Sequence, residues 1–205
     1  LSQVEDLWLS GYSQPRACDP VFRAWELAGR LDQDLIWKRI ELAMANGRTR
    51  LARHIGKKLA SKSDREVVYL WSQIHRKPQL IIPASRLQNH SMASTIRVHA
   101  VKRMARKDPE EAIILWRRLQ QRHGFSEGDI NQVLRSIGIR LARRHHPDAI
   151  HWLSQVKAPY ADDLVHEWLI RSAIRQADWQ RVTKAIENLP LAHQNCQRKS
   201  DCWAR

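Results

Sequence analysis

The stretch MARKDPEEAIILWRRL, residues 104–119, decides how the chain is read. Asp108 is suited to cap a helix, Pro109 to fill its first position, and Glu110 and Glu111 to place negative charge in its first turn. The apolar period predicts one helix over 96–105. It predicts a second carrying Ala112, Leu115, Trp116 and Leu119 and ending at His123-Gly124. The stretch LARRHHPDAIHWLSQV, residues 141–156, follows the same frame. Ala105, Ala112 and Leu119 align with Ala142, Ala149 and Val156 at an offset of 37. Val182 and Leu189 continue the second and third positions, and Ala45, Ala52 and Leu59 fit the frame earlier. A helix, a tight turn and a second helix every ~34–40 residues is the signature of a helical solenoid. Alanine beside each turn lets two helices approach closely, and the larger residue fills the next layer. Each hairpin buries its face only against its neighbours. The expected fold is all-α: a right-handed α-superhelix of about ten helices in antiparallel hairpins, tetratricopeptide-like but without that repeat's full consensus. Residues 1–205 are expected to form a single domain.

Outward from there, the period stays helical. Val21, Phe22, Trp25 and Ala28 form one stripe. Leu35, Ile36, Ile40, Ala43 and Met44 form the next, ended by Asn46-Gly47. Leu51, Ile55 and Leu59 form a third, and Asp64 is placed to cap a helix carrying Val67, Val68, Leu70, Trp71 and Ile74. Leu80-Ile81-Ile82-Pro83, with proline on both sides, reads as a buried extended link. Ser126-Glu127-Gly128-Asp129 opens a helix through Ile130, Val133, Leu134, Ile137 and Leu141. Segments 164–173 and 179–189 form the last hairpin.

Composition supports this. In 205 residues there are only 7 Gly and 8 Pro, too few backbone punctuators for a turn-rich β-sandwich or barrel. At 43% hydrophobic and 27% charged, the chain has the material for a core and is not broadly disordered. No apolar run approaches the ~18 residues that a membrane span needs. There are 35 Lys and Arg against 21 Asp and Glu, a net charge of +14, which favours anionic partners such as nucleic acid, acidic lipid or an acidic polymer. The N-terminus, LSQVEDLW, has neither the basic nor the apolar region of a signal peptide, and the chain reads as an excised or processed piece. Cys18, Cys196 and Cys202 are odd in number, and no Cys-x-x-Cys suggests a zinc or redox site.

Catalytic signatures are missing: no Gly-rich phosphate loop, no Gly-x-Ser-x-Gly and no His-Glu-x-x-His. His145, His146 and His151 lack an acidic or thiolate partner at metal-ligand spacing and read as turn histidines, so no metal and no cofactor is expected. Asp162, Asp163, His166 and Glu167 read as a surface helix start with an Asp–His contact one turn apart, rather than as an acid/base pair. Trp25, Trp37, Trp71, Trp116, Trp152, Trp168 and Trp179 all fall on helical stripes. Packing is expected for most, with sugar or base stacking open to one or two. Basic residues gather in three groups. Arg48, Arg50, Arg53, Lys57, Lys58 and Lys62 are expected in one helix, Arg97, Lys102, Arg103, Arg106 and Lys107 in a second, and Arg135, Arg140, Arg143 and Arg144 in a third. They flank the same turns of the repeat. Either they line one rim or groove, or they only keep a Trp- and Leu-rich solenoid in solution.

One region is more specific. Leu7-Trp8-Leu9-x-Gly11-x-Ser13-Gln14-Pro15-x-Ala17-Cys18-Asp19-x-x-Phe22-x-x-Trp25 is followed by Gly29, Arg39-x-x-Leu42-Ala43-Met44-x-x-Gly47 and Leu51-Ala52. This resembles the helical superhelix region of the soluble lytic murein transglycosylases. The resemblance is strong over about residues 4–60 and is one of pattern beyond; Leu189-Pro190 and Trp203-Ala204-Arg205 resemble the same region more weakly. It implies a periplasmic enzyme in which a superhelix precedes a lysozyme-like domain. That enzyme cleaves the β-1,4 bond between N-acetylmuramic acid and N-acetylglucosamine of peptidoglycan and leaves a 1,6-anhydromuramic end. The family's catalytic Glu lies in a Glu-Ser motif, and no Glu here precedes Ser, so no catalytic residue is carried over. The resemblance also implies a disulfide from the Cys18 position to a cysteine upstream.

The chain is thus expected to be the non-catalytic superhelix alone, with peptidoglycan and the family's C-terminal catalytic domain as partners. Arg103, Arg106, Lys107, Arg143 and Arg144 are the expected peptidoglycan-binding residues, because the repeat frame brings the last two beside the first three. The competing expectation is a free-standing helical-repeat adaptor for protein or nucleic acid; nucleic acid is the less favoured partner.

Overall fold

The computed structural model describes residues 2–187, and among these every regular element is helical. The α-helices are α1 Ser2–Trp8, α2 Asp19–Leu27, α3 Gln33–Ala45, α4 Thr49–Gly56, α5 Lys62–Arg76, α6 Ala93–Lys107, α7 Pro109–Gln120, α8 Glu127–Arg143, α9 Ala149–Leu153, α10 Asp163–Arg175 and α11 Trp179–Glu187. Contacts divide the chain into two compact units, Leu1–Arg103 and Met104–Arg205. Leu189, Pro190, Cys196, Cys202 and the Trp203–Arg205 end lie outside the described residues.

In the first unit α3, α4 and α5 pack on one another. Side-chain caps start α3 and α5. The Asp32 carboxylate accepts from the Leu35 amide at 2.8 Å, and the Ser61 hydroxyl accepts from the Asp64 amide at 3.4 Å. Ser61, not Asp64, therefore caps α5; Asp64 lies inside its first turn, where its charge favours the positive helix end. Gly47 ends α3 with φ +71°, and the Arg48 amide reaches back to the Ala43 carbonyl at 2.7 Å. This left-handed closure costs glycine nothing. Helix α4 stops at Gly56, so Lys57, Lys58 and Lys62 do not share a helix with Arg50 and Arg53 as expected. The link after Pro78 is also not extended. It folds as a 3-10 turn, Pro78–Ile81, that buries Ile81 and leaves Leu80 and Ile82 partly exposed. Two prolines fix φ near the helical range and so favour a tight turn there.

Around α1 and α2 an aromatic cluster forms. Phe22 and Trp25, one turn apart on α2, both meet Trp8 of α1, with ring centroids 5.4 Å and 5.9 Å away. The Trp8 indole N–H donates to the Leu35 carbonyl at 3.2 Å. The Trp8, Phe22 and Trp25 of the quoted motif are thus one packed unit. Cys18 has a free thiol and is half-buried.

In the second unit α7 packs on α8, α8 on α9, and α10 on α8, α9 and α11. Asp108 caps α7 by accepting from the Glu110 and Glu111 amides at 3.0 and 3.1 Å. Ser126 and Asp129 form a reciprocal capping box at the start of α8. The repeat frame holds in burial for two hairpins, with Ala105, Ala112, Leu119, Ala142, Ala149 and Val156 all buried. Val182, which continues its second position, is only half-buried, and Ala185 of α11 is buried instead. In the first unit Ala52 and Leu59 follow it but Ala45 is exposed, because Ala43 and Met44 form the buried face there. Helices α8 and α9 approach closely at Gly138 of α8. A Cβ added there would stand 2.7 Å from a Leu153 methyl and 3.2 Å from the Leu153 amide nitrogen of α9.

Replacing Ala112 or Ala149 with Leu is expected to overpack these contacts and cost about 1–3 kcal/mol. Gly138→Ala is expected to cost a similar amount, because the clash is partly with backbone that cannot step aside. Urea denaturation checks all three; a neutral result for all would remove the helix–helix contacts from the account. Ala177, which closes α10 at φ +54°, gives the opposite expectation. Ala177→Gly should stabilise the protein by about 0.5–1 kcal/mol by relieving left-handed strain.

Candidate functional site

In the second unit positive charge gathers at the turns α6–α7 and α8–α9. Helix α6 ends with Arg106 and Lys107, and α8 ends with Arg140 and Arg143, followed by Arg144. Cations at a helix C-terminus are locally favourable. The repeat then brings two such ends together. The Arg144 guanidinium donates to the Lys107 carbonyl at 2.6 Å, across the 37-residue offset of the sequence frame. Burial first, and then the charges of Arg143, Arg106 and Arg144, hold the Arg140 pKa below its ordinary value. Among the described residues none of Arg106, Lys107, Arg140, Arg143 and Arg144 is ion-paired with a carboxylate. Of the acids at these turns, Asp108 caps α7 and the exposed Glu110 lies 3.5 Å from His146.

Arg103 behaves differently. Its guanidinium donates to the His75 carbonyl at 3.2 Å within the first unit. The structure thus brings four of the five expected binding residues together around Arg140 and holds the fifth in a backbone contact.

Beside Arg143 is an aromatic platform. Trp168 of α10 has the Arg143 guanidinium 5.9 Å and the Arg171 guanidinium 5.3 Å from its ring centre. A cleft of about 530 Å³ is lined by Trp168 with Ala142, His145, Arg171, Ser172 and Arg175. His145 holds its place there at φ +59°, closing α8 as Gly47 closes α3. A half-buried indole face beside guanidiniums offers stacking and hydrogen bonding together, which suits an anionic ligand with a flat apolar side. Trp8, Trp25, Trp71, Trp116 and Trp152 are core residues, and Trp179 is 64% exposed.

The remaining sequence candidates resolve plainly. Asp162 caps α10 by accepting from Val165, and its carboxylate takes the Arg135 guanidinium at 2.5 Å instead of meeting His166. The bond to Arg135 is the main reason its pKa lies below the usual range. The His166 Nδ1 is buried without a hydrogen-bond partner. Sequence reasoning placed Arg140 in the third basic group and Trp168 among the tryptophans on helical stripes, but counted neither, nor His145, among the expected binding residues. Period alone does not show which member of a basic group or of a set of tryptophans faces a cleft. His145 is legible only as a non-glycine residue where a helix closure wants glycine.

No protein-family model matches the chain. The soluble lytic murein transglycosylases of Salmonella typhimurium and Escherichia coli K12 are each 24% identical to it, over 189 and 190 residues. The alignments cover 92% of this chain and 29% of each relative, so the chain spans under a third of their length. Among solved structures, the lytic transglycosylase Slt of Pseudomonas aeruginosa, an inactive mutant, matches 94% of this chain and 31% of its own, at 28% identity and a TM-score of 0.82. The 70-kDa soluble lytic transglycosylase in complex with bulgecin A matches at 21% identity and a TM-score of 0.72, over 93% of this chain and 31% of its own. The resemblance drawn from Trp8 to Trp25 therefore extends along the chain, and its fold is that of the helical superhelix of these enzymes.

A cluster of unpaired like charges costs stability. Arg106→Gln and Arg143→Gln are each expected to raise stability at low salt by about 0.2–0.5 kcal/mol per relieved pair. The gain should fade at 1 M salt, where the screening length falls to ~3 Å. Thermal melts at both salt concentrations check this.

Proposed function

We propose that this chain, homologous over 92% of its length to part of the soluble lytic murein transglycosylases, is the non-catalytic superhelical part of such an enzyme and holds peptidoglycan through its basic face. The enzyme as a whole would act in the periplasm on the glycosidic bond between N-acetylmuramic acid and N-acetylglucosamine. The present residues would position the catalytic domain and retain the polymer near it. The observation that carries the binding role is the set of five neighbouring cations, next to Trp168, with no carboxylate partner among the described residues. Peptidoglycan stem peptides carry free carboxylates, and its sugars present flat apolar faces. Guanidinium groups suit the first and an indole the second. No residue here is assigned to bond cleavage, because the Glu-Ser pair of the family is not in the sequence.

Co-sedimentation with purified sacculi tests the reading. The protein should pellet with sacculi at 0.1 M salt and be released toward 1 M, as screening shortens from ~10 Å to ~3 Å. Reversing Arg106, Lys107 and Arg143 to Glu leaves the Arg144 bond to the Lys107 carbonyl in place. It should lower the bound fraction about fivefold or more, whereas reversing the scattered Arg76, Arg118 and Lys184 should change it less than about twofold. Equal loss from both triples would make the effect one of bulk charge. No pelleting of the wild type at low salt would leave the region a scaffold only. Binding to RNA with no pelleting on sacculi would favour the adaptor reading.

A further inference from the structure

A second feature, in the first unit, is independent of the basic face. Arg39 lies on the buried stripe of α3, between Ile36 and Ile40, and is only 5% exposed. Its guanidinium stacks over Trp8, 4.2 Å from the ring centre, and stands 5.4 Å from that of Phe22. Stacking satisfies the face of the group. The N–H donors point in its plane, and among the described residues they have neither a hydrogen-bond acceptor nor an ion-pair partner; Nε is buried with none. A guanidinium whose Nε is buried without an acceptor, and whose terminal nitrogens face only the cleft, is a charge largely withdrawn from water and not compensated by the protein. Burial holds its pKa below the ordinary value.

Arg39 lines a cleft of about 380 Å³. Two more guanidiniums, Arg16 and Arg23, line the same cleft, are exposed, and have no ion pair among the described residues. Two carboxylates also line it. Glu26 is taken by Lys58, and Asp19, at the first position of α2, makes no bond to Arg39. Ser13 and Gln14 add neutral donors and acceptors, while Trp8 and Phe22 supply an apolar wall. The missing partner is therefore an anion. The planar fork of Arg39 matches a carboxylate best, and the amide and hydroxyl of Gln14 and Ser13 match peptide groups.

We propose that this cleft binds the free C-terminal carboxylate of a short peptide, with Arg39 as its inner partner and Arg16 and Arg23 at its mouth. This deepens the peptidoglycan reading and rests on it for the peptide class. Calorimetric titration of the full protein with acetylated alanyl-alanine, its C-terminal amide and inorganic phosphate tests it. The acid should bind, the amide at least about tenfold more weakly, and phosphate more weakly than the acid. Arg39→Gln should abolish binding of the acid. Because that variant also loses the ring contacts, Arg23→Gln is the second probe. It should weaken binding about threefold or more with an unchanged melting temperature. Asp19→Asn should strengthen binding by removing a competing carboxylate. Equal binding of acid and amide, phosphate binding as tight as the acid, undiminished binding by Arg39→Gln, or no effect of Arg23→Gln would each overturn the proposal. Pelleting on sacculi without dipeptide binding would overturn the cleft alone. Dipeptide binding without pelleting would overturn the basic face and leave the cleft standing.

Discussion

The second unit depends on one constraint: two helices joined by a turn of a few residues must touch where their side chains are smallest. Ala105, Ala112, Ala142 and Ala149 flank those turns and are buried, and Gly138 has no room for even a methyl group against Leu153. With the spacing set there, the larger residues Leu119 and Val156 fill the layer behind, and Trp116 and Trp152 are drawn inside. The same closeness fixes where helix ends fall, and the ends carry the charge.

Four helices close alike. At α2, α3, α8 and α10 an amide reaches back across a left-handed residue: Arg30 to Trp25, Arg48 to Ala43, His146 to Leu141, and Asp178 to Ala173. Two use Gly29 and Gly47, and two use His145 and Ala177 at φ +59° and +54°. In the first pair the geometry follows from the residue type. In the second, packing imposes it on residues that resist it, and His145 is held at the edge of the Trp168 cleft as a result.

This contrast explains what could be read from the residues alone. The helical class, the caps at Asp108 and Ser126, and the 37-residue frame follow from local chemistry and period. The frame even anticipated the meeting of Arg144 with Lys107. Ala45 broke it, because a periodic match cannot distinguish a buried alanine from one a single position off the buried face. The α5 cap was misplaced since Ser61 and Asp64 both suit a helix start, and only hydrogen-bond geometry decides which one closes it. Arg39 belongs to the quoted motif, yet its role depends on Trp8 and Phe22 from two other helices. Nothing local marks it beyond a charged residue on an apolar stripe.

The composition of the basic face has its own consequence. Four of its five cations are arginines and the fifth is Lys107. Guanidinium groups keep their proton across any pH a cell maintains, even with Arg140 below its ordinary value. If the face binds as proposed, it would act as an ion exchanger of fixed capacity. Acidity would alter what it holds only by neutralising the carboxylates of its counterpart, and ionic strength would be the variable that loads or empties it. A strand held this way would move laterally by trading one carboxylate for another without leaving the surface. Its retention would then depend on how many acids it presents at once rather than on which residue bears them.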